Sequence, residues 1–96
     1  MKMIILAYNI ALDEEIMELM EGAGLDFYTK WTKVLGKGRS GGPHLGTPVW
    51  PGFNNVLMAA AEDDKVSPLL DGVRDLRRRL GKEGIKAFVL PLEEVT

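Results

Sequence analysis

The stretch Gly36-Lys37-Gly38-Arg39-Ser40-Gly41-Gly42-Pro43-His44-Leu45-Gly46-Thr47-Pro48-Val49-Trp50-Pro51-Gly52 divides the chain into two parts. It holds six of the eleven glycines, three of the five prolines, the only His and one of the two Trp residues. Glycine loses the most backbone entropy on ordering, and proline removes a donor and fixes φ, so neither a helix nor a regular strand accommodates this density. The stretch is a loop. Loops of this length inside a small domain are uncommon and, when ordered, usually functional. What lies on either side of it decides the fold.

On the N-terminal side, Met3-Ile4-Ile5-Leu6-Ala7-Tyr8 is a continuous apolar run, as expected of a central strand buried on both faces. A helix follows Asn9-Ile10-Ala11, with Asp13, Glu14 and Glu15 near its positive end. Leu12, Ile16, Leu19, Met20 and Ala23 recur at spacings of three and four and form one apolar stripe. Glu18 and Glu21 lie off that stripe, on a solvated face, and Gly22 and Gly24 supply the stop. Leu25 to Leu35 is rich in aromatic and β-branched residues and reads as a strand. A regular pleat there sends Lys30 and Lys33 to opposite faces.

On the C-terminal side, Phe53 to Ala61 reads as a third strand, antiparallel to the second. Ser67-Pro68 predicts a helix start, a hydroxyl N-cap followed by Pro at the first helical position. Leu69, Val73, Leu76 and Leu80 make its stripe, and Arg77, Arg78 and Arg79 complement its negative end. Gly81 and Gly84 mark a turn, and Ile85 to Leu92 closes the chain as a strand with Pro91 near its end. This order specifies an α+β fold, the ferredoxin-like βαββαβ plait: a four-stranded antiparallel sheet with two helices on one face. The other face lacks cover. Trp31, Met58 and Phe88 are expected to line it, which points to oligomerisation through that face.

Ninety-six residues are expected to form a single domain, 1–96, able to bury a core without staples. With no Cys, disulfide frameworks, thiolate metal sites and cysteine nucleophiles are excluded. The first apolar run is too short for a membrane span, so a soluble, cytoplasmic domain is expected. A net charge of -2 gives no overall argument for nucleic acid, and none is expected as a partner. The cluster Arg74, Arg77, Arg78 and Arg79 is read as a solvated helix end rather than a nucleic-acid surface.

Three local features carry candidate chemistry. In Gly36-Lys37-Gly38-Arg39, glycines let backbone N–H groups approach a phosphate while Lys and Arg supply charge, although any basic hairpin turn has similar composition. Gly81-Lys82-Glu83-Gly84-Ile85-Lys86 is a second basic turn, and the two gain meaning only if the fold or an oligomer brings them together. His44 is a metal candidate where a subunit interface supplies further ligands, and Trp50 beside it offers a stacking surface. The alternative is an exposed His beside a Trp that anchors the loop.

The order of elements and the two turns resemble the PII signal-transduction family over nearly the whole chain. Leu35-Gly36-Lys37-Gly38-Arg39 is similar to the x-G-x-G-R segment at the base of that family's T-loop, and Gly84-Ile85-Lys86-Ala87-Phe88-Val89 to its B-loop lysine running into a strand. The resemblance implies a non-enzymatic homotrimer that binds ATP, ADP or AMP between subunits and engages a membrane transporter or an enzyme through its T-loop. It assigns ligand contacts to Gly36, Lys37, Gly38, Arg39 and Lys86, and partner contacts to Gly41, Gly42, His44 and Trp50 of the 36–52 loop. That loop is shorter than in the nitrogen-regulatory members and lacks their modified tyrosine. Ser40-Gly41 replaces the family's Gln-Lys pair, and the C-terminal arginines of those members have no counterpart up to Thr96. The resemblance is therefore to a divergent, PII-like member whose effector is an adenine nucleotide or a small ion. One alternative is a metal-responsive trimer of an efflux system, using His44 to bind a transition metal. A weaker one is a small plait enzyme of acylphosphatase type, whose phosphate cradle has no match in Asn9-Ile10-Ala11.

Overall fold

The computed structural model describes residues 1–37, 52–80 and 84–96. Strand β1 (Lys2–Asn9) lies inside the sheet, antiparallel to β3 (Asn54–Ala61) on one side and to β4 (Ile85–Pro91) on the other. Strand β2 (Thr29–Val34) pairs with β3, giving the order β2-β3-β1-β4. Helices α1 (Asp13–Gly22) and α2 (Asp63–Leu80) supply the rest of the core. The chain has the ferredoxin-like βαββαβ fold that its hydrophobic periodicities specify.

Alternation along the strands sorts side chains between two unlike faces. Ile4, Leu6 and Tyr8 from β1, with Leu57, Ala59 and Ala61 from β3, are buried against Ile16 and Met20 of α1 and Leu69, Val73 and Leu76 of α2. The opposite face carries Met3, Ile5, Ala7, Val56 and Met58, all only half-buried. Trp31 and Phe88, at 47% and 50% exposure, flank them as expected. The β1 run is thus apolar on both sides, although among the described residues the helices cover only one.

The helices meet where Gly72 lets α2 approach α1. A Cβ at that position would lie 2.7 Å from the Leu19 side chain. Helix α1 ends in a Schellman cap: Leu25 N–H donates to Met20 O at 2.9 Å, Gly24 N–H donates to Glu21 O at 3.0 Å, and Gly24 adopts φ +74. Leu25 is buried beside Met20 as part of this stop. Lys65 Nζ then donates to Gly24 O at 2.9 Å, tying the cap to α2.

Three boundaries differ from expectation. Helix α2 begins at Asp63, so Pro68 lies inside it. The N–H that proline lacks would have met the carbonyl of Asp64, an exposed residue in the first turn where water can serve instead. Asp63 and Asp64 favour the early start through the helix dipole. Strand β2 is shorter than the span 25–35, because Leu25 is consumed by the α1 cap. Finally, Leu80 is half-exposed at 48%, so the α2 stripe ends at Leu76.

Candidate functional site at the loop-bearing end of the sheet

One end of the sheet gathers the end of β1, the end of β2, the start of β3 and the start of β4. There Asn9 N–H donates to Gly84 O at 2.7 Å and Ile10 N–H to Phe53 O at 2.9 Å. Consecutive amides point to opposite sides of a strand, so these two reach both neighbours. Asn9 Oδ1 accepts from Ala11 N–H at 2.9 Å, starting the 3₁₀ turn Ile10–Leu12 that leads into α1. Gly84 is required twice over. Its φ is +94, and a Cβ there would press on Asn9 and Leu12 at 3.3 Å.

Beneath this corner lies a polar cluster centred on Asp13. Tyr8 Oη donates to Asp13 Oδ1 at 2.6 Å, and Lys30 Nζ reaches both carboxylate oxygens at 3.1 Å. Asn55, only 2% exposed, donates through Nδ2 to Asp13 Oδ1 at 3.1 Å. Its Oδ1 accepts the backbone N–H of Lys33 at 3.2 Å. These partners fix the amide orientation, since a flipped Asn55 would face Asp13 with an acceptor and Lys33 with a donor. Partial burial pushes the Asp13 carboxyl up, but hydrogen bonds from Tyr8, Lys30 and Asn55 and the charge of Lys30 outweigh it and hold Asp13 below the ordinary carboxylate range. Burial first, then the hydrogen bond to Asp13 and its charge, push the Tyr8 phenol up.

Asn55 and Lys33 meet because β2 carries a bulge. Trp31 pairs with Val56 and Val34 with Asn54, so β2 spends three steps where β3 spends two. Lys33 takes φ +56, a left-handed conformation costing about 1 kcal/mol for a residue with a side chain. The regular pleat expected for Lys30 and Lys33 is therefore broken between them. Lys30 points under the sheet to Asp13, and Lys33 is the bulged residue. Past the bulge, Gly36 lies against Asn54, whose Nδ2 would sit 2.5 Å from a Cβ added there.

Of the residues singled out from the sequence, Gly36, Lys37 and Lys86 are described. Gly38, Arg39, Gly41, Gly42, His44 and Trp50 lie outside the described residues, as does Lys82. Lys37 and Lys86 are exposed cations at the same end of the sheet but on its two edges, β2 and β4. Three strand spacings separate those edges, about 14 Å. The helix-borne arginines are engaged close to home. Arg74 pairs with Asp71 at 3.2 Å, Arg79 with Asp75 at 3.1 Å, and Arg77 donates to Ile85 O at 3.1 Å. Among the described residues, no three His, Cys, Asp or Glu side chains converge as a metal site, and no helix is long and apolar enough to cross a membrane.

The sequence alone does not announce the Asp13 cluster, since Asp13 fits the helix dipole and Tyr8 an apolar strand. The available signal was Asn54-Asn55, an amide pair opening an otherwise apolar strand.

The described parts of the two basic segments, Gly36-Lys37 and Gly84-Ile85-Lys86, thus lie at one end of the plait on its two edges. The chain belongs to the nitrogen regulatory protein P-II family, whose model matches residues 1–96. No curated protein sequence matches it. Among solved structures it is similar to CPII, a nitrogen regulatory PII-like protein from Thiomonas intermedia K12. The form bound to ADP and bicarbonate superposes with a TM-score of 0.76 at 26% identity, covering 93% of this chain and 82% of that one. The form bound to ADP, AMP and bicarbonate gives 0.72 at 23% identity, covering 93% and 86%. The apo form gives 0.71 at 21% identity, covering 93% and 85%.

Proposed function

We propose that the protein is a non-enzymatic PII-like regulator, a homotrimer that binds an adenine nucleotide in clefts between subunits. In this reading the nucleotide controls whether the 36–52 loop engages a transporter or an enzyme. The observation that carries the proposal is the placement of Gly36-Lys37 and Lys86 at one end of the sheet on opposite edges. A span of about 14 Å is too wide for one phosphate group to touch both turns of one subunit. A neighbouring copy packed through the open face of Trp31, Met58 and Phe88 brings one subunit's loop base to another's β4 turn. The CPII form bound to ADP and bicarbonate, at 26% identity, supports an adenine nucleotide as the ligand.

In that cleft, Gly36 offers a backbone that nothing but Asn54 crowds, and Lys37 and Lys86 supply positive charge. Gly38 and Arg39, next in the sequence, are the further ligand contacts of this reading. The nucleotide acts only by binding one loop arrangement better than another.

Calorimetric titration with ADP, AMP and bicarbonate tests this, with Arg39→Ala and Lys86→Ala as controls. Each variant alone is expected to lose most nucleotide binding. Co-refolding the two variants restores one intact cleft in each mixed trimer, because the two substitutions then sit in different subunits. Mixed trimers that bind no nucleotide, beside a wild-type protein that does, would overturn the shared cleft.

A further inference from the structure

We infer that the buried cluster Tyr8–Asp13–Lys30–Asn55 is a positioning device for the ligand-facing base of the 36–52 loop. It acts through the bulge at Lys33, which Asn55 holds in place. The role assigned to Gly36 and Lys37 rests on the function proposed above, whereas the positioning itself does not.

The geometry runs in one direction, from helix to loop. Asp13 opens α1 and is anchored by Tyr8 of β1 and Lys30 of β2, at 2.6 and 3.1 Å. Asp13 in turn fixes Asn55 of β3, which spends its one remaining acceptor on the Lys33 amide. A bulge leaves one residue out of the ladder, and here the amide of that residue is met by a side chain instead of the partner strand. Among the described residues, Asn55 is the one buried amide, and no charged residue is buried with it. Such a group in an apolar core needs its partners satisfied, and Asn55 satisfies them by bridging a carboxylate to a bulge.

The bulge decides which way the loop base faces. Lys30 pairs with Leu57 on the helix-covered side, so strict alternation would place Val34 and Gly36 on that side as well. The additional residue reverses this parity. Val34 pairs with Asn54, and Gly36 lies against the Asn54 side chain on the open face. Lys86 shares that face, because it pairs with Ala7 in the row containing Val56 and Trp31. Were Lys33 taken into a regular ladder instead, Gly36 and Lys86 would address opposite sides of the sheet.

The test combines amide measurements by NMR with ADP titration of the full chain. In Asn55→Leu, exchange of the Lys33 amide is expected to quicken at least about tenfold, with shifted Gly36 and Lys37 resonances and an ADP Kd raised about tenfold. Deleting Lys33 removes the bulge but keeps Val34 opposite Asn54 and Gly36 on the open face. In that background Asn55→Leu is expected to leave the Gly36 and Lys37 resonances and the ADP Kd within about twofold of the deletion alone, an outcome that a purely stabilising role does not produce. Should Asn55→Leu fail to fold, Asn55→Ser gives the same readouts. Gly36 and Lys37 resonances unmoved by the substitution in the ligand-free full chain, or moved as far in the deletion background, overturn the inference. If wild-type protein binds no ADP, the nucleotide reading fails, and the ligand-free resonances still decide the positioning claim.

Discussion

The two faces of the sheet come from the same strands and differ in how their apolar surface is closed. On the helix side, Leu6 and Leu57 are fully buried by α1 and α2. On the other, Ile5 and Met58 are neighbours in register and comparably apolar, yet no described helix covers them. The first face is closed by the chain itself. The second is the face through which the trimer proposed above would pack. Burial on the first contributes to folding whatever the protein concentration, whereas burial on the second depends on assembly.

This contrast can be broken most forcefully from the covered side. Leu57→Ala removes a fully buried side chain and is expected to cost about 3 kcal/mol in denaturant unfolding. Asp13→Ala comes next, at about 2 kcal/mol, because it strands Asn55 Nδ2 and removes the counter-charge of Lys30. Double-mutant cycles between Asp13 and Asn55 should show strong coupling, unlike Asp13 paired with a distant site such as Leu76.

Smaller effects appear as pH limbs. Asp13 has a folded value below its ordinary 3.8, so its contribution is complete above about pH 4 and drains away as pH falls through the folded value. Asp13→Asn should flatten that acid decline. Tyr8 is shifted the other way. Its contribution is complete below about pH 10 and is lost as pH rises from there toward the folded value. Tyr8→Phe should flatten the alkaline decline, read by circular dichroism across the titration.

The smallest effect on the subunit, and the sharpest on the comparison, belongs to Phe88→Glu. It is half-exposed, so the isolated subunit should change by about 0.5 kcal/mol or less. If the protein is the trimer proposed above, sedimentation should nonetheless fall from the mass of three copies to that of one. A trimer that survives the change would place the contact elsewhere than the open face.

Much of the covered face was legible in the sequence. Ile16 and Met20, or Leu69, Val73 and Leu76, announce themselves because helical periodicity is a local signal. Gly24 was legible as a stop for the same reason. The Asp13 cluster was not, because positions 8, 13, 30 and 55 meet only once the sheet has closed, and each has an ordinary local explanation. The bulge was hidden too, since Lys33 is not a residue that advertises a positive φ. Pro68 misled because proline marks a first turn statistically, while an exposed second turn also tolerates it. At the candidate site, the basic turns were legible as composition, but their division between two sheet edges is a property of strand order.

Asn9 and Ile10 give the subunit a shared anchorage. Phe53 and the Gly84 turn that leads into Lys86 hang from adjacent residues at the end of β1, the first from Ile10 N–H and the second from Asn9 N–H. Drawing either segment outward loads its own bond and, through the short stretch they share, the other. Breaking a backbone hydrogen bond costs about 1 kcal/mol net. Such a joint is stiff enough to bias one segment by the state of the other by roughly fivefold, and weak enough to release under a modest ligand. In the trimer proposed above, each subunit would then carry a mechanical link between the cleft on one of its edges and the cleft on the other, through Asn9 and Ile10.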